Sequence, residues 1–169
     1  MKKVLAFIDD VYEDLELWYP KLRLEEAGHQ VVVAASVRDR VYKGKHGYPC
    51  VSDASIEEVE AIDFDAVLIP GGFAPDRLRR YSKVLECLRE FDVKKKLIAF
   101  ICHGGWVAIS AKILKGRKAT STIAIKDDME NAGAIWTDQA LVVDKNVISS
   151  RTPKDLPQFA KAMVDFLAQ

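Results

Sequence analysis

The residue in this sequence that is best suited to chemistry is Cys102, which follows an uncharged apolar run and stands close to two glycines. Residues 97–101 read Leu-Ile-Ala-Phe-Ile, as expected for a strand that is buried on both faces. Gly104 and Gly105 would let the chain turn sharply from that strand into a helix and lift the thiol above a sheet. The same pattern is compatible with an inert core thiol, because free cysteine is often buried.

His103 and a cluster of carboxyl groups are the other candidates for chemistry. Glu13, Asp14 and Glu16 occupy the predicted first turn of a helix, where carboxylates suit the positive end of the helix dipole. Helix capping accounts well for Asp14 and Glu16. We select Glu13 as the carboxyl beside Cys102, since a protonated carboxyl can hydrogen-bond a thiolate and an ionised one would oppose it.

The elements that would position these groups alternate between strands and helices. A strand, a helix and a second strand fit within the first 36 residues, which is the length of a βαβ unit and predicts a parallel sheet. In the first helix, Leu15, Trp18, Tyr19 and Leu22 recur at helical spacing. We predict strands at 4–8, 30–36, 66–69 and 97–101, hairpins within 41–51 and 140–149, and helices at 13–27, 82–91, 106–114, 124–132 and beyond 155.

Three strand ends carry candidate groups. Glu13 follows the first strand, Gly71 and Gly72 follow the third, and Cys102 with His103 follows the fourth. Ligands of doubly wound sheets bind outside the carboxyl ends of the strands, so these groups should converge on one crevice. Two glycines after a strand can also bring backbone N–H groups close to an anion.

Composition narrows the class of protein further. The 169 residues are 49% hydrophobic and support one domain, 1–169, with a sizeable core. Lys plus Arg equals Asp plus Glu at 25 each, so we expect no nucleic-acid or membrane partner. Three cysteines without an export signal predict reduced thiols in the cytoplasm. His46 and Cys50 lack further ligands nearby, so we expect no metal and no cofactor.

Several longer motifs resemble the ThiJ/PfpI family, and most closely its PfpI-type intracellular proteases. The resemblance spans nearly the whole chain, and the run from 125 to 136 is far more specific than any glycine pair. The motifs are Gly-Lys-His-Gly-Tyr at 44–48, Pro-Gly-Gly-Phe-Ala-Pro at 70–75, Ile-Cys-His-Gly at 101–104, Leu-Lys-Gly-Arg-Lys at 114–118, Ile-Lys-Asp-Asp-Met-Glu-Asn-Ala-Gly-Ala-Ile-Trp at 125–136 and Ser-Ser-Arg-Thr-Pro-Lys-Asp-Leu at 149–156.

The resemblance implies a flavodoxin-like three-layer sandwich with a mainly parallel sheet and a nucleophilic cysteine on an elbow, carried onto Cys102 with His103 beside it. A glutamate at the start of the first helix hydrogen-bonds the cysteine in the family, and the matching position is Glu13. Backbone N–H groups of the glycine loop and the elbow form the oxyanion site, which matches Gly72 and His103. Gly71 and Gly104 are included as their neighbours in these two loops.

The resemblance also implies a homo-oligomer, from dimer to hexamer, with the site at a subunit interface. An acidic residue after the glycine loop, here Asp76, would reach His103 of a neighbouring subunit. The sequence departs from the protease-type pattern at Asp76, where glutamate is usual, at Thr122 and Ile123, which replace Tyr-Pro, and at 105–106 after the Cys-His-Gly. These positions bear on the identity of the substrate.

Three functions follow as expectations. The first is a cysteine hydrolase resembling PfpI-type proteases, in which Cys102 attacks a peptide carbonyl with Glu13 and His103 assisting. The second is a glyoxalase or protein deglycase that acts on methylglyoxal or its adducts. The third belongs to another class: a redox-sensing stress protein or holding chaperone that uses oxidation of Cys102.

Overall fold

The structure, a computed structural model, describes residues 1–169. The strands are β1 (Lys3–Phe7), β2 (Gln30–Ala35), β3 (Val41–Lys43), β4 (Pro49–Val51), β5 (Ala54–Ser55), β6 (Ala66–Ile69), β7 (Leu97–Ile101), β8 (Lys118–Ala119), β9 (Ile135–Trp136), β10 (Val142–Asp144) and β11 (Val147–Ser150). The helices are α1 (Asp14–Glu26), α2 (Ala74–Leu78), α3 (Ser82–Val93), α4 (Gly105–Ala111), α5 (Lys126–Asn131) and α6 (Leu156–Leu167).

Seven of the strands form one sheet in the order β10-β11-β7-β6-β1-β2-β5. Every neighbouring pair in it is parallel except β10 and β11, which form an antiparallel hairpin at one edge. All residues of β6, β7 and β11 are buried, as expected for strands that helices cover on both faces. The predicted mainly parallel α/β sheet is confirmed.

Helices cover the two faces of the sheet. On one face α1 packs against α6, with α1 also against β2 and α6 against β7 and β11. On the other face α3 and α4 pack together and against β7, and α3 also reaches β6. This is the predicted three-layer sandwich, in which the carboxyl ends of the parallel strands all open at one edge.

The face of α1 that is buried differs from the face that its apolar residues suggest. Leu15, Tyr19 and Leu22 recur at helical spacing, yet their exposed fractions are 56%, 40% and 57%. The face of α1 that packs into the fold is narrower and contains two carboxyl groups; its buried residues are Asp14, Glu16, Leu17, Pro20 and Leu24. A glutamate therefore lies on the inner face of the helix, and an apolar stripe lies on the outer face.

Other differences from the predicted elements are small. The hairpins β3–β4 and β10–β11 are present, whereas α2 and the short β8–β9 pair were not predicted. Helix α4 ends at Ala111 and not at 114, because Lys112 adopts a left-handed conformation with φ +61°. Residues 124–125 belong to a 3₁₀ turn that leads into α5. None of the helices combines the length and the apolar content that crossing a membrane requires.

Candidate active site

Cys102 stands at the turn between β7 and α4, on the elbow that the two following glycines predict. Its φ is +58°, in the left-handed region that side chains with a Cβ rarely occupy. A 3₁₀ turn over Cys102–Gly104 leads directly into α4. A Cβ on Gly104 would lie 2.5 Å from the carbonyl oxygen of Ile69, so only glycine lets the turn approach β6 this closely. The thiol is thereby raised above the end of the sheet and is partly exposed.

Two backbone N–H groups point toward the sulfur of Cys102. They belong to Gly72 and His103, and both lower the pKa of the thiol by stabilising its anionic form. Gly72 has φ +79° and pairs with Tyr12 in an isolated antiparallel β-bridge. A Cβ on Gly72 would clash with the backbone of 11–13, so the glycine loop is fixed against the start of α1. The two N–H groups predicted to form the oxyanion site therefore lie beside the Cys102 thiol.

Glu16 is the carboxyl group in contact with Cys102. Its side chain is completely buried, accepts the N–H of Gly71 through Oε2 at 2.7 Å, and lies close enough to Cys102 for each group to shift the pKa of the other. Its other oxygen, Oε1, has no hydrogen-bond partner. The contact expected of Glu13 is thus made by Glu16, one helical turn later, and Gly71 uses its N–H to hold this carboxyl.

Burial sets the protonation of this pair. Burial, and then the charge of Glu13, raises the pKa of Glu16 from 4.5 to about 8. Burial, and then the Glu16 carboxyl, raises the pKa of the Cys102 thiol to about 12. At neutral pH both groups therefore hold their protons, and the thiol must transfer its proton as it attacks.

His103 is the nearest group that can accept that proton. Its Nδ1 lies 3.3 Å from Sγ of Cys102, so the imidazole faces the thiol. Burial and the charge of Lys45 lower the pKa of His103, which keeps the ring neutral. With its proton on Nε2, the ring presents a free lone pair to the thiol. Its edge packs on Trp106, with the ring centroids 5.0 Å apart.

The thiol opens into a cavity of about 420 Å³ at the carboxyl edge of the sheet. This volume suits a small molecule or one modified side chain. The walls combine acidic, basic and aromatic groups from the glycine loop, the elbow and the β3–β4 hairpin. The lining residues are Glu13, Glu16, Lys45, His46, Gly72, Phe73, Cys102, His103, Trp106, Thr122 and Pro153.

Glu13 lies in the cavity but has a different role from the one expected. Its carboxylate caps α1 by accepting the N–H of Glu16 at 2.8 Å, and it lies 4.0 Å from Nε2 of His46. Glu13, Asp14 and His46 together could contribute one metal ligand each. Both carboxylate oxygens of Asp14 already accept backbone N–H groups, from His46 and Tyr48. Helix capping, which we assigned to Asp14 and Glu16, thus describes Glu13.

Three predicted site residues, Gly71, Asp76 and Gly104, do not line the cavity. Gly71 is buried behind it, where its N–H holds Glu16. Asp76 is on α2, where its carboxylate accepts a hydrogen bond from Arg80 at 2.6 Å, and the chain does not bring it to His103. Gly104 is buried against Ile69 and serves the close approach of the elbow to β6. Cys50 and Cys87 are buried, and burial raises the pKa of each thiol to about 11, in agreement with a packing role.

The DJ-1/PfpI family matches residues 2–166 of this sequence, the whole span that carries the elbow, the glycine loop and α1. The chain belongs to the DJ-1/PfpI family. "Deglycase PfpI" of Pyrococcus furiosus is 46% identical over 165 residues, which are 98% of this chain and 99% of that protein. "General stress protein 18" of Bacillus subtilis is 42% identical over 168 residues, 98% of each chain.

A solved structure supports the same family fold. A two-domain protein from Anabaena variabilis, with DJ-1/ThiJ/PfpI-like and ferritin-like domains, superposes with a TM-score of 0.97 at 44% identity. The match covers 99% of this chain and 48% of that one, so this chain spans about half of the two-domain protein. The fold predicted from the sequence is therefore that of its DJ-1/PfpI relatives.

Three titratable residues of the cavity were not identified as site residues from the sequence: Glu16, Lys45 and His46. Glu16 could have been found from helix phase, because it lies four residues before Pro20 and eight before Leu24 on the buried face of α1. Lys45 and His46 belong to a hairpin far along the chain from every strand end of the site. Nothing local in their sequence shows that this hairpin folds over the cavity.

Proposed function

We propose that this protein is a cysteine hydrolase of small carbonyl compounds, of the glyoxalase or deglycase type, with Cys102 as nucleophile. The observation that carries the proposal is the set of groups around one sulfur atom. The N–H groups of Gly72 and His103, the neutral imidazole of His103 at 3.3 Å and the protonated carboxyl of Glu16 all meet there. The name of the 46% identical relative, a deglycase, agrees with this chemistry.

The first step is attack on the aldehyde carbon of a 2-oxoaldehyde. A bond forms between Sγ of Cys102 and the carbon, the thiol proton passes to Nδ1 of His103, and the carbonyl oxygen becomes an alkoxide. The N–H groups of Gly72 and His103 are fixed donors for that developing charge. Return of the proton from His103 gives a neutral hemithioacetal on Cys102.

The second half converts the hemithioacetal into a 2-hydroxy acid. The proton on the former aldehyde carbon moves to the neighbouring carbon, and the hydroxyl proton of the hemithioacetal passes to the ketone oxygen. Together these transfers turn the ketone into an alcohol and the hemithioacetal into a thioester. Glu16 interacts with the Cys102 thiol, and its pKa of about 8 leaves a minor ionised fraction at neutral pH. This ionised form takes up the carbon-bound proton and returns it to the neighbouring carbon. Water then cleaves the thioester, releases the acid and restores the thiol.

Peptide cleavage is the second candidate, and the Cys102–His103 contact is the observation that favours it. It requires more of the site, because the leaving amine needs a proton from an imidazolium. Burial and Lys45 lower the pKa of His103, and Asp76, the expected carboxylate partner, is bound to Arg80 on α2. In the isolated chain the geometry therefore favours aldehydes over amides.

A parallel assay distinguishes these functions. Purified protein and the variants Cys102→Ala and Cys87→Ala are tested for loss of methylglyoxal, with lactate measured as product, and for cleavage of a fluorogenic peptide. We expect lactate formation that falls about 10³-fold or more in Cys102→Ala and persists in Cys87→Ala, which removes a packing thiol. Peptide cleavage without lactate would overturn the preferred substrate class, and activity in Cys102→Ala would overturn the nucleophile.

We further propose that the protein is a cytoplasmic homo-oligomer. Three free cysteines suit a reducing compartment. The outer stripe of α1 is apolar, and Phe73 and Ile123, with exposed fractions of 67% and 70%, add apolar surface. A second copy would cover such surfaces. Light scattering coupled to size exclusion measures the mass directly; a monomer at micromolar concentration would contradict the proposal.

The redox function stays a prediction. A protonated Glu16 and two backbone N–H groups could hold a sulfinate, but the raised pKa of Cys102 slows its reaction with peroxide at neutral pH. Intact mass after mild peroxide treatment tests this function. A gain of two oxygens at Cys102 supports it, and unmodified protein with continuing catalysis rejects it.

A further inference from the structure

The cavity contains one lysine, Lys45, whose charge the hydrolytic mechanism does not use. Lys45 lies at the tip of the β3–β4 hairpin and is exposed, and its ammonium group has no carboxylate within ion-pair distance. Its charge lowers the pKa of both His103 and Glu16, so its field reaches the reacting groups. A cation without a partner at the entrance of a substrate cavity is a feature that favours anionic ligands.

The hairpin tip is fixed in place and does not hang loosely over the cavity. The N–H of Lys45 donates to the carbonyl of Tyr12 at 2.7 Å. Asp14, buried at the start of α1, accepts the N–H of His46 at 2.8 Å and that of Tyr48 at 2.9 Å. Gly44 packs so closely on the Asp14 carboxylate that a Cβ there would overlap it. The base of the lysine side chain is thus positioned by the same helix that carries Glu13 and Glu16.

No carboxylate of the cavity forms an ion pair with Lys45. The Glu13 carboxylate is charged but caps α1 and faces His46, and Glu16 is protonated at neutral pH because its pKa is raised to about 8. Lys43, on the same hairpin, also carries an exposed ammonium group but does not line the cavity. The pair of lysines therefore provides a matched comparison of one cation inside the site and one outside it.

We propose that Lys45 forms an anion subsite, so that the preferred substrates are carbonyl compounds that carry a carboxylate on the part of the molecule remote from the carbon that Cys102 attacks. This proposal rests on the proposed function for its substrate class, namely 2-oxoaldehydes with an acidic tail. The lysine is a binding and specificity residue. It takes no part in bond making.

The subsite can be tested without catalysis by comparing two alkylating agents of nearly equal size. Iodoacetate is anionic and iodoacetamide is neutral, and both alkylate the Cys102 thiol. We divide the rate constant for iodoacetate by that for iodoacetamide, because a change in thiol reactivity affects both and cancels in this ratio. We expect this ratio to fall about threefold to tenfold in Lys45→Gln, and to stay within about twofold of the wild-type value in Lys45→Arg and in Lys43→Gln. Mass spectrometry identifies alkylation at Cys102.

An equal ratio in the wild type and in Lys45→Gln would overturn the proposal. A fall of the same size in Lys43→Gln would overturn it too, because the effect would then come from the general field of the hairpin. Added salt should reduce the wild-type ratio toward that of Lys45→Gln, since screening weakens a partly exposed charge.

Turnover provides the second arm. The value of kcat/KM is measured for 4,5-dioxopentanoate, a 2-oxoaldehyde with a carboxylate tail, and for 2-oxopentanal, which has the same chain length without the charge. We expect the wild type to have the higher kcat/KM for 4,5-dioxopentanoate. We expect Lys45→Gln to lose this preference because its KM for that substrate rises. Turnover of neither aldehyde, with the iodoacetate preference intact, would reject the proposed reaction while supporting the subsite. Equal use of both by the wild type would reject the subsite while leaving the reaction in place.

Discussion

The two ends of the parallel strands differ in how completely their polar groups are paired. At the amino ends, Lys96 precedes β7 and its ammonium donates to the carbonyls of Ala61, Ile62 and Phe64 at 2.9, 3.1 and 2.7 Å. Arg117 pairs with Asp92 and donates to Asn146, which in turn donates to the carbonyl of Lys96. Each of these side chains has partners within the fold.

At the carboxyl ends, several polar groups have fewer partners than their chemistry allows. Glu16 is buried with one oxygen lacking a hydrogen-bond partner, and Lys45 forms no ion pair. Cys102 occupies a left-handed conformation there. Paired polar groups at the amino edge stabilise the fold, whereas the carboxyl edge retains polar groups that are able to bind a ligand or to react. Substitutions at the two edges should therefore affect different measurements.

Among substitutions at the two edges, Gly72→Ala at the carboxyl edge is expected to have the largest effect, and that effect should be on activity. A Cβ at φ +79° would meet the backbone of 11–13, so the loop must move and take its N–H away from the sulfur. We expect kcat/KM for methylglyoxal to fall about 10² to 10³-fold, as when an oxyanion donor is lost. Gly28→Ala is the control, since it shares a positive φ of +83° but has open space around it. Equal losses in both variants would show a general folding defect.

At the amino edge, Asp92→Ala should reduce stability without reducing the activity of folded protein. Removing the carboxylate leaves the half-buried guanidinium of Arg117 without its charged partner. We expect the free energy of unfolding to fall by about 2 to 3 kcal/mol. Urea denaturation measures the loss, and kcat/KM well below the transition should stay within twofold of wild type. A drop in activity with unchanged stability would contradict the assignment of this edge.

Glu16→Gln should change how stability depends on pH. Because the pKa of Glu16 is raised from 4.5 to about 8, the folded state holds a proton that the unfolded state loses between these values. The stability of the wild type should therefore fall as pH rises through that window, and the variant should lack this component. We expect the variant to gain about 2 to 4 kcal/mol relative to wild type between pH 5 and pH 9.

Urea midpoints at the two pH values measure this gain. The exposed Glu57→Gln is the control, and parallel pH curves for wild type and Glu16→Gln would contradict a protonated Glu16. The same variant should lose activity, because glutamine cannot exchange the proton that the proposed mechanism moves.

The smallest effect is expected from Asp76→Ala. Its carboxylate is exposed and pairs with Arg80, four residues later and just beyond the end of α2, so stability should change by less than about 1 kcal/mol. Activity toward methylglyoxal should stay within about twofold. A loss of ten times or more, especially one that appears only in an oligomer, would show that Asp76 reaches His103 of a neighbouring subunit after all.

The sequence predicted the fold and the elbow at Cys102 well because both depend on local signals. The nucleophilic role of Cys102 stays a prediction. Apolar runs gave the strands β6 and β7, and the glycines after Cys102 gave the elbow. For the carboxyl group beside the thiol we selected Glu13, because helix capping accounted for Glu16 and the family resemblance pointed to Glu13. The structure places these two residues the other way round, with Glu13 as the cap and Glu16 beside the thiol. Leu15 and Leu22 face outward while Glu16 faces inward, and only packing against the glycine loop decides between these phases.

Lys45 and His46 could not be assigned to the cavity from the sequence, for a different reason. Lys45 and His46 enter through long-range contacts of a hairpin with the start of α1, and such contacts leave no periodic trace in the chain. Asp76 was placed by resemblance alone. Whether it has any catalytic role depends on a second subunit and not on the fold of one chain.

The left-handed backbone at Cys102 also restricts which nucleophiles this protein could acquire. Serine has the same unbranched Cβ and could replace the thiol at φ +58° with little change to the elbow. Threonine would add a branch that crowds the neighbouring carbonyl in this conformation. Of the two hydroxyl residues, only serine can therefore replace Cys102 without disturbing the elbow. The backbone conformation of this one turn thus limits which nucleophiles a mutation can introduce.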